Sequence, residues 1–255
     1  MSSRSISSEI DVISYLKVHY LYVGLGQIDS VFGSLDIASP LYGGRVHSTE
    51  RSLTKEHVKA LDRAGIRIAL TLTNHFFRKE DYELTLPILE KHHCTGNSII
   101  CVNDSLARQI KNDFPKYSLK ASVIKKIDSQ RRLESAFDLY DQVVLPMDRN
   151  DDLDFLSNLP EKRRVILFAN GGCAYNCPSR TCYYGVSQKN QGKAVTRGCS
   201  REVLNRKSLG FVYFDVEAFL EMGFREFKLV PRIASSADSA LYRWLSQMNL
   251  GYGSV

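Results

Sequence analysis

The chain has 255 residues, of which 44% are hydrophobic and 24% charged, enough to bury one large core or two small ones and ordinary for a globular domain. Thirty-four Lys and Arg against 28 Asp and Glu give a net charge of +6, a mild basic excess that argues weakly for a polyanionic partner. No apolar run is long enough to span a membrane and Met1 to Ile10 has no apolar stretch of the signal-peptide kind, so a cytoplasmic protein without structural disulfides is expected.

In chain order, residues 1–8 read as a disordered tail and 9–255 as a single domain. Tyr20 to Leu25 is apolar and β-prone, the first expected strand. Thr54 caps a helix to Ala64, with Val58 and Leu61 on its apolar face and Gly65 as its stop. Ile66 to Leu72 is a buried strand. Tyr82 to His92 has helical period, and Pro87 sets the real start near itself. Ser98 to Val102 is a strand, followed by a helix from Ser105 to Asp113 that ends before Pro115. Cys101, inside that strand, is a small core residue, and Cys94 after His92 and His93 marks a helix end.

Leu119 to Val123 is the next strand, and Asp128 caps a helix through Tyr140. Gln142 to Leu145 is a strand, Leu153 to Leu159 a short helix and Arg164 to Ala169 a strand. Farther on come a short strand at Phe211 to Phe214, a helix capped by Asp215 that stops at Gly223, and a strand at Glu226 to Val230. An amphipathic helix from Ala237 to Met248 carries Trp244. From Ile66 to Val165 the strands recur every 20 to 33 residues with helices between them, the period of β/α units with parallel strands. The expected fold is therefore α/β, a parallel (β/α)8 TIM-type barrel, incomplete or distorted, with a doubly wound sheet as the alternative. Gly24-Leu-Gly26 lacks the third glycine that a dinucleotide-binding sheet wants.

Directly after the Arg164 to Ala169 strand comes Cys173-x3-Cys177-x4-Cys182-x16-Cys199, four of the chain's six cysteines within 27 positions. Thiols concentrated at a strand end, with Gly171 and Gly172 to turn the backbone, read as ligands of one metal centre in a loop at about 170–207. Irregular four-cysteine spacing suits an iron–sulfur cluster. Zinc is the alternative, although closed zinc sites favour tight Cys-x2-Cys pairs, and unliganded thiols are a third reading. Between Gln188 and Lys207, six basic residues (Lys189, Lys193 and Arg197 among them) face Glu202 alone, a local net of +5. That is a solvated loop or a surface for nucleic acid or another anion. Active sites of the barrel fold lie at the C-terminal strand ends, where Asn74, Asn103 with Asp104, Ser122, Asp148, Asn170 and Arg232 fall. Arg232 offers a planar fork for a carboxylate or phosphate. His75, next to Asn74, stands at a strand end, yet no Ser-His-Asp or His-Glu-x-x-His spacing appears.

The sequence Asn170-Gly-Gly-Cys-Ala-Tyr-Asn-Cys-Pro178, with Asp215-Val-Glu-Ala-Phe-Leu-Glu-Met-Gly-Phe224 and Phe227-Lys-Leu-Val-Pro-Arg232 after it, resembles the collagenase-like peptidase family. Thr71-Leu-Thr-Asn74 and Ala121-Ser-Val123 sit where that family places comparable elements, so the resemblance covers roughly Leu53 to Leu245. Relatives that hydroxylate RNA bases or ubiquinone precursors without oxygen carry a four-cysteine [4Fe-4S] cluster. The resemblance implies Cys173, Cys177, Cys182 and Cys199 as its ligands, with Cys101 or a partner's residue as the alternative to Cys199. It also implies oxygen-independent hydroxylation of RNA, a nucleotide or an aromatic precursor. Asn74, Asn103 and Arg232 would be catalytic in that reading, with Asn170, Lys189, Lys193 and Arg197 holding substrate. A peptidase of the same family, or a non-catalytic subunit pairing with a related barrel, is the alternative; the Cys-x3-Cys-Pro spacing is not that of the peptidase signature.

Overall fold

The structure, a computed structural model, describes residues 1–3, 6–20, 23–171, 181–197 and 212–231. The helix expected at Ala237 to Met248 lies outside them. Seven parallel strands form one curled sheet: β1 (Ser30–Gly33), β2 (Arg67–Leu72), β3 (Ser98–Cys101), β4 (Ser118–Ala121), β5 (Gln142–Val144), β6 (Val165–Phe168) and β9 (Glu226–Lys228), adjacent in that order. Each strand pairs with the next of the seven in the sequence, so no crossover reverses direction. A doubly wound sheet requires such a reversal, and the arrangement is instead a half-barrel of the TIM type with seven strands where eight were expected. A separate antiparallel pair, β7 (Asn170–Gly171) with β8 (Val212–Tyr213), lies at the exit of β6.

The central strands are apolar throughout because both of their faces are covered: all four residues of β3 and of β6 are buried. On their outer side, helices α2 (Lys55–Arg63), α5 (Asp104–Asp113) and α6 (Gln130–Phe137) pack on β2, β3 and β5. Local signals start and stop the helices where expected. Thr54 accepts from the His57 amide at the head of α2, and Gly65 ends it at φ +72. The segment expected as one helix from Tyr82 divides into α3 (Lys79–Glu83) and α4 (Leu86–Lys91), with Pro87 in the first turn of the second. Ser129 rather than Asp128 occupies the N-cap position of α6, while Asp128 instead binds Arg132 at 3.0 Å.

The N-terminal expectations need correction. Tyr20 is not in a strand: it closes helix α1 (Val12–His19), and the first strand begins ten residues later. The tyrosine is an anchor, its hydroxyl donating to the Ser2 carbonyl at 2.9 Å beside a second bond of the same length from Tyr15. Met1 to Ser3 is consequently no free tail. Ser2 bridges Phe32 of β1 in parallel, the Phe32 amide donates to Met1 O at 2.8 Å, and the Ser2 amide reaches Leu229 O, just past β9, at 3.1 Å. Three residues thus sit in the seam between first and last strands, where an eighth strand would lie. Ser2→Pro deletes the amide shared between Leu229 and the Tyr20 hydroxyl and should cost about 2 kcal/mol, read as a lowered midpoint in thermal unfolding relative to Ser2→Ala.

Candidate functional site

At the C-terminal ends of the strands, the rim is organised by helix α8 (Cys182–Asn190), which begins with one of the four clustered cysteines. The chain enters the cysteine loop through Gly171, where a Cβ would overlap the Met147 sulfur unless that side chain moved aside. Cys173, Cys177 and Cys199 lie outside the described residues, as does Arg232. Cys182 is partly exposed. Among the described residues no three His, Cys, Asp or Glu side chains converge as metal ligands.

Asn74, one residue beyond Thr73 at the exit of β2, is fully buried. Its amide nitrogen donates to Pro40 O at 2.8 Å and to Ser187 O of α8 at 3.0 Å, and its oxygen accepts from Phe76 N at 2.9 Å. Next to it, His75 binds the Ser187 hydroxyl twice, through its amide at 3.2 Å and Nδ1 at 2.9 Å. At the far end of α8, the Asn190 side chain donates to Tyr42 O and Arg45 O, each at 2.9 Å, and accepts from His47 N at 3.0 Å. Gln191 then donates to Asp81, which Arg78 grips with two nitrogens. Helix α8 is thus fastened along its length to the exits of β1 and β2.

The other rim residues are engaged in shaping backbone. Asn103 caps α5, accepting from Ser105 N and Leu106 N at 2.9 and 3.1 Å. Asp104 accepts from Lys125 Nζ at 2.7 Å and the Tyr140 hydroxyl at 2.6 Å; burial raises its carboxyl, but these donors outweigh it and hold it below the usual carboxylate range. Ser122 caps the turn after β4. Asn170 exchanges two bonds with the Val230 backbone, 3.1 and 2.8 Å, extending the ladder from β6 toward β9 with a side chain. Asn150, also buried, donates to Phe168 O at 2.7 Å, and its oxygen has no partner among the described residues.

The basic segment folds back across α8. Gln188 accepts from Thr196 N and donates to Thr196 Oγ1, and the Arg197 carbonyl lies so close to Gly185 that any side chain there would collide with it. Lys193 Nζ stands 4.7 Å from the centre of the Phe76 ring, and the Arg197 guanidinium 5.0 Å from that of Tyr184, while the two rings meet edge to face at 4.9 Å. Lys189, Lys193 and Arg197 are all exposed. The rim therefore presents a cationic shelf on an aromatic base. Phe76, Tyr184 and Ser187 carried no signal in the sequence, since Tyr184 and Ser187 meet His75 and Phe76 only across more than a hundred residues.

Ser187 with His75 has the composition of a hydrolytic pair but not its accessibility. The hydroxyl is fully buried, and its single proton goes to Tyr183 O at 3.0 Å or to His75. A nucleophile must reach its substrate, so this pair fastens a helix. Cys101, the alternative to Cys199, stands apart from the rim pair. It lies wholly in the core as expected, and burial pushes its thiol up to about 12.

No family model matches the chain, and no curated protein matches it. Among solved structures, that of the U32 peptidase Mk0906 is similar at a TM-score of 0.56 with 11% identity, over 80% of this chain and 86% of that one. At that identity the likeness is one of fold: the sequence's resemblance to a peptidase family has a counterpart in backbone architecture. No helix among the described residues is long and apolar enough to cross a membrane.

Burial lowers the affinity of His75 for a proton below the ordinary 6.5. The unfolded chain then binds the proton more readily, so stability is full above 6.5 and falls as pH drops through the lower folded value. Urea midpoints measured from pH 7 to pH 5 should decline in the wild type, and His75→Gln should remove part of that slope.

Proposed function

We propose that this chain is an iron–sulfur protein that performs a redox modification, an oxygen-independent hydroxylation of RNA, a nucleotide or an aromatic precursor. The observation that supports it best is the position of Cys182: it opens a helix bolted to the rim where barrel enzymes do their chemistry, and Cys173 and Cys177 stand a few residues before it. The donor set fits the group, since four thiols within one loop offer the all-sulfur coordination such clusters use. Cys173, Cys177, Cys182 and Cys199 would hold a [4Fe-4S] cluster, which supplies one-electron transfer when bound. Zinc is the competing occupant of the same thiols.

In this reading Asn74 and Asn103 are positioning residues, fixing α8 and α5 at the rim, and Asn170 holds the strand exit from which the cysteine loop departs. Lys189, Lys193 and Arg197 receive an anionic backbone, with Arg232 as a further clamp. Ligands that function as thiolates belong in a reducing compartment, so the reading carries a cytoplasmic location with it. The peptidase alternative has no accessible nucleophile–base pair among the described residues to support it. A pairing with a related barrel would make the cluster one half of a shared redox unit.

Anaerobic purification should yield about four irons and four sulfides per chain with a broad absorption near roughly 400 nm, lost in Cys173→Ala/Cys177→Ala and kept in Cys101→Ala. A colourless protein, or one holding zinc, would overturn the reading. Charge reversal in Lys193→Glu/Arg197→Glu should weaken single-stranded RNA binding at least about tenfold at low salt and flatten its salt dependence, since each lost phosphate contact removes about 0.7 from the slope; fluorescence anisotropy with a labelled oligonucleotide reads both.

A further inference from the structure

A TIM-type barrel ordinarily fills its interior with layers of branched side chains. Here the interior holds a cavity of about 570 Å³, within the size range of small-molecule sites. Its lining gathers at the N-terminal ends of the strands, where Asp29, Ser30 and Glu226 lie, and runs up to Ala169 at the exit of β6. Phe32, Ile100, Val144 and Ile166, spaced two apart from the other inward residues of their strands, give it apolar walls.

Two lysines stand among those walls. Lys120 faces Asp29, Nζ to Oδ2 at 3.5 Å, so its charge is answered within the protein. Lys228 is different. Its ammonium lies 4.2 Å from the centre of the Phe32 ring and 5.5 Å from that of Phe168, and it has no hydrogen bond or ion pair among the described residues. Ring faces attract a cation without satisfying its three donors. Burial, with Lys120 nearby, pushes its pKa down to about 8, which still leaves it mostly charged at neutral pH.

We infer that this cavity is a binding site for a small apolar monocarboxylate, its carboxylate on Lys228 and its hydrocarbon body against Ile100, Val144 and Ile166. The charge count favours one negative charge over two. Lys228 is the lining cation without a hydrogen bond or ion pair among the described residues, since Arg225 gives its guanidinium to the Leu220 and Phe224 carbonyls, while Asp29 and Glu226 at the mouth would repel a phosphate dianion.

The test uses the whole protein with hexanoate as probe, and hexanamide and inorganic phosphate as controls. Calorimetric titration should detect hexanoate, with little response to the neutral amide or to phosphate. Lys228→Met, which keeps an unbranched side chain one atom shorter, should weaken hexanoate at least about tenfold, the scale of a lost charge-assisted hydrogen bond. Because that variant alters a half-buried position in a strand, a second measurement needs no substitution. In trace acetylation at pH 8 followed by peptide mass spectrometry, hexanoate should slow modification of Lys228 several-fold and leave exposed Lys79 unchanged. Equal binding of acid and amide, undiminished binding by a folded Lys228→Met, or no protection of Lys228 would each overturn the assignment.

Discussion

The rim of this half-barrel depends on one buried carboxamide. Asn74 is sealed from solvent and spends its amide donors on Pro40 O and Ser187 O and its acceptor on Phe76 N. A polar group so deeply placed costs free energy unless satisfied, and the partners that satisfy it come from three separate stretches of chain. The exit of β2, the loop after β1 and helix α8 are thereby set relative to one another. Whatever Cys182 binds inherits its position from that bond set.

A polar fastening is needed here because α8 has little apolar surface to bury. Its three buried residues are Gly185, Ser187 and Gln188, whereas a helix held by the hydrophobic effect presents a continuous apolar stripe. Hydrogen bonds from Asn74, His75, Asn190 and Gln188 replace that stripe. They are directional, so they fix the rotation of the helix as well as its location. The absence of side-chain volume at Gly185 lets the Lys193 to Arg197 segment lie directly on the helix, which brings its cations over Phe76 and Tyr184. Shelf and anchor are thus products of the same close packing.

What the sequence disclosed followed the range of the interactions involved. Strands β2 to β6 were legible because each is a short apolar run bracketed by its own helix signals, Thr54 and Gly65 around α2 being the plainest. Tyr20 to Leu25 misled because an aromatic and aliphatic run resembles a strand, while the reason for Tyr20 is a hydroxyl bond to a carbonyl eighteen residues earlier. The seam strand Met1 to Ser3 is too short and too polar to carry a periodicity at all. On the rim, residue type marked Asn74, Asn103 and Asn170 as noteworthy, but their service to backbone atoms is set by distant partners. Lys120 and Lys228 were invisible for a related reason, since a lysine in a strand looks like a solvent-facing residue until the sheet curls around it.

The seam also has a temporal meaning. Ser2 and Leu229 are joined by a backbone hydrogen bond although more than two hundred residues, and the whole of the curled sheet, separate them. During synthesis Met1 to Ser3 have only β1 to pair with until Leu229, more than two hundred residues later, has emerged. Loop-closure entropy of that size is met only after the intervening β/α units have formed and shortened the effective loop. The wall of the barrel is therefore completed by its two ends meeting at the close of folding, and until then the free edge of β6 is available to whatever strand approaches it first.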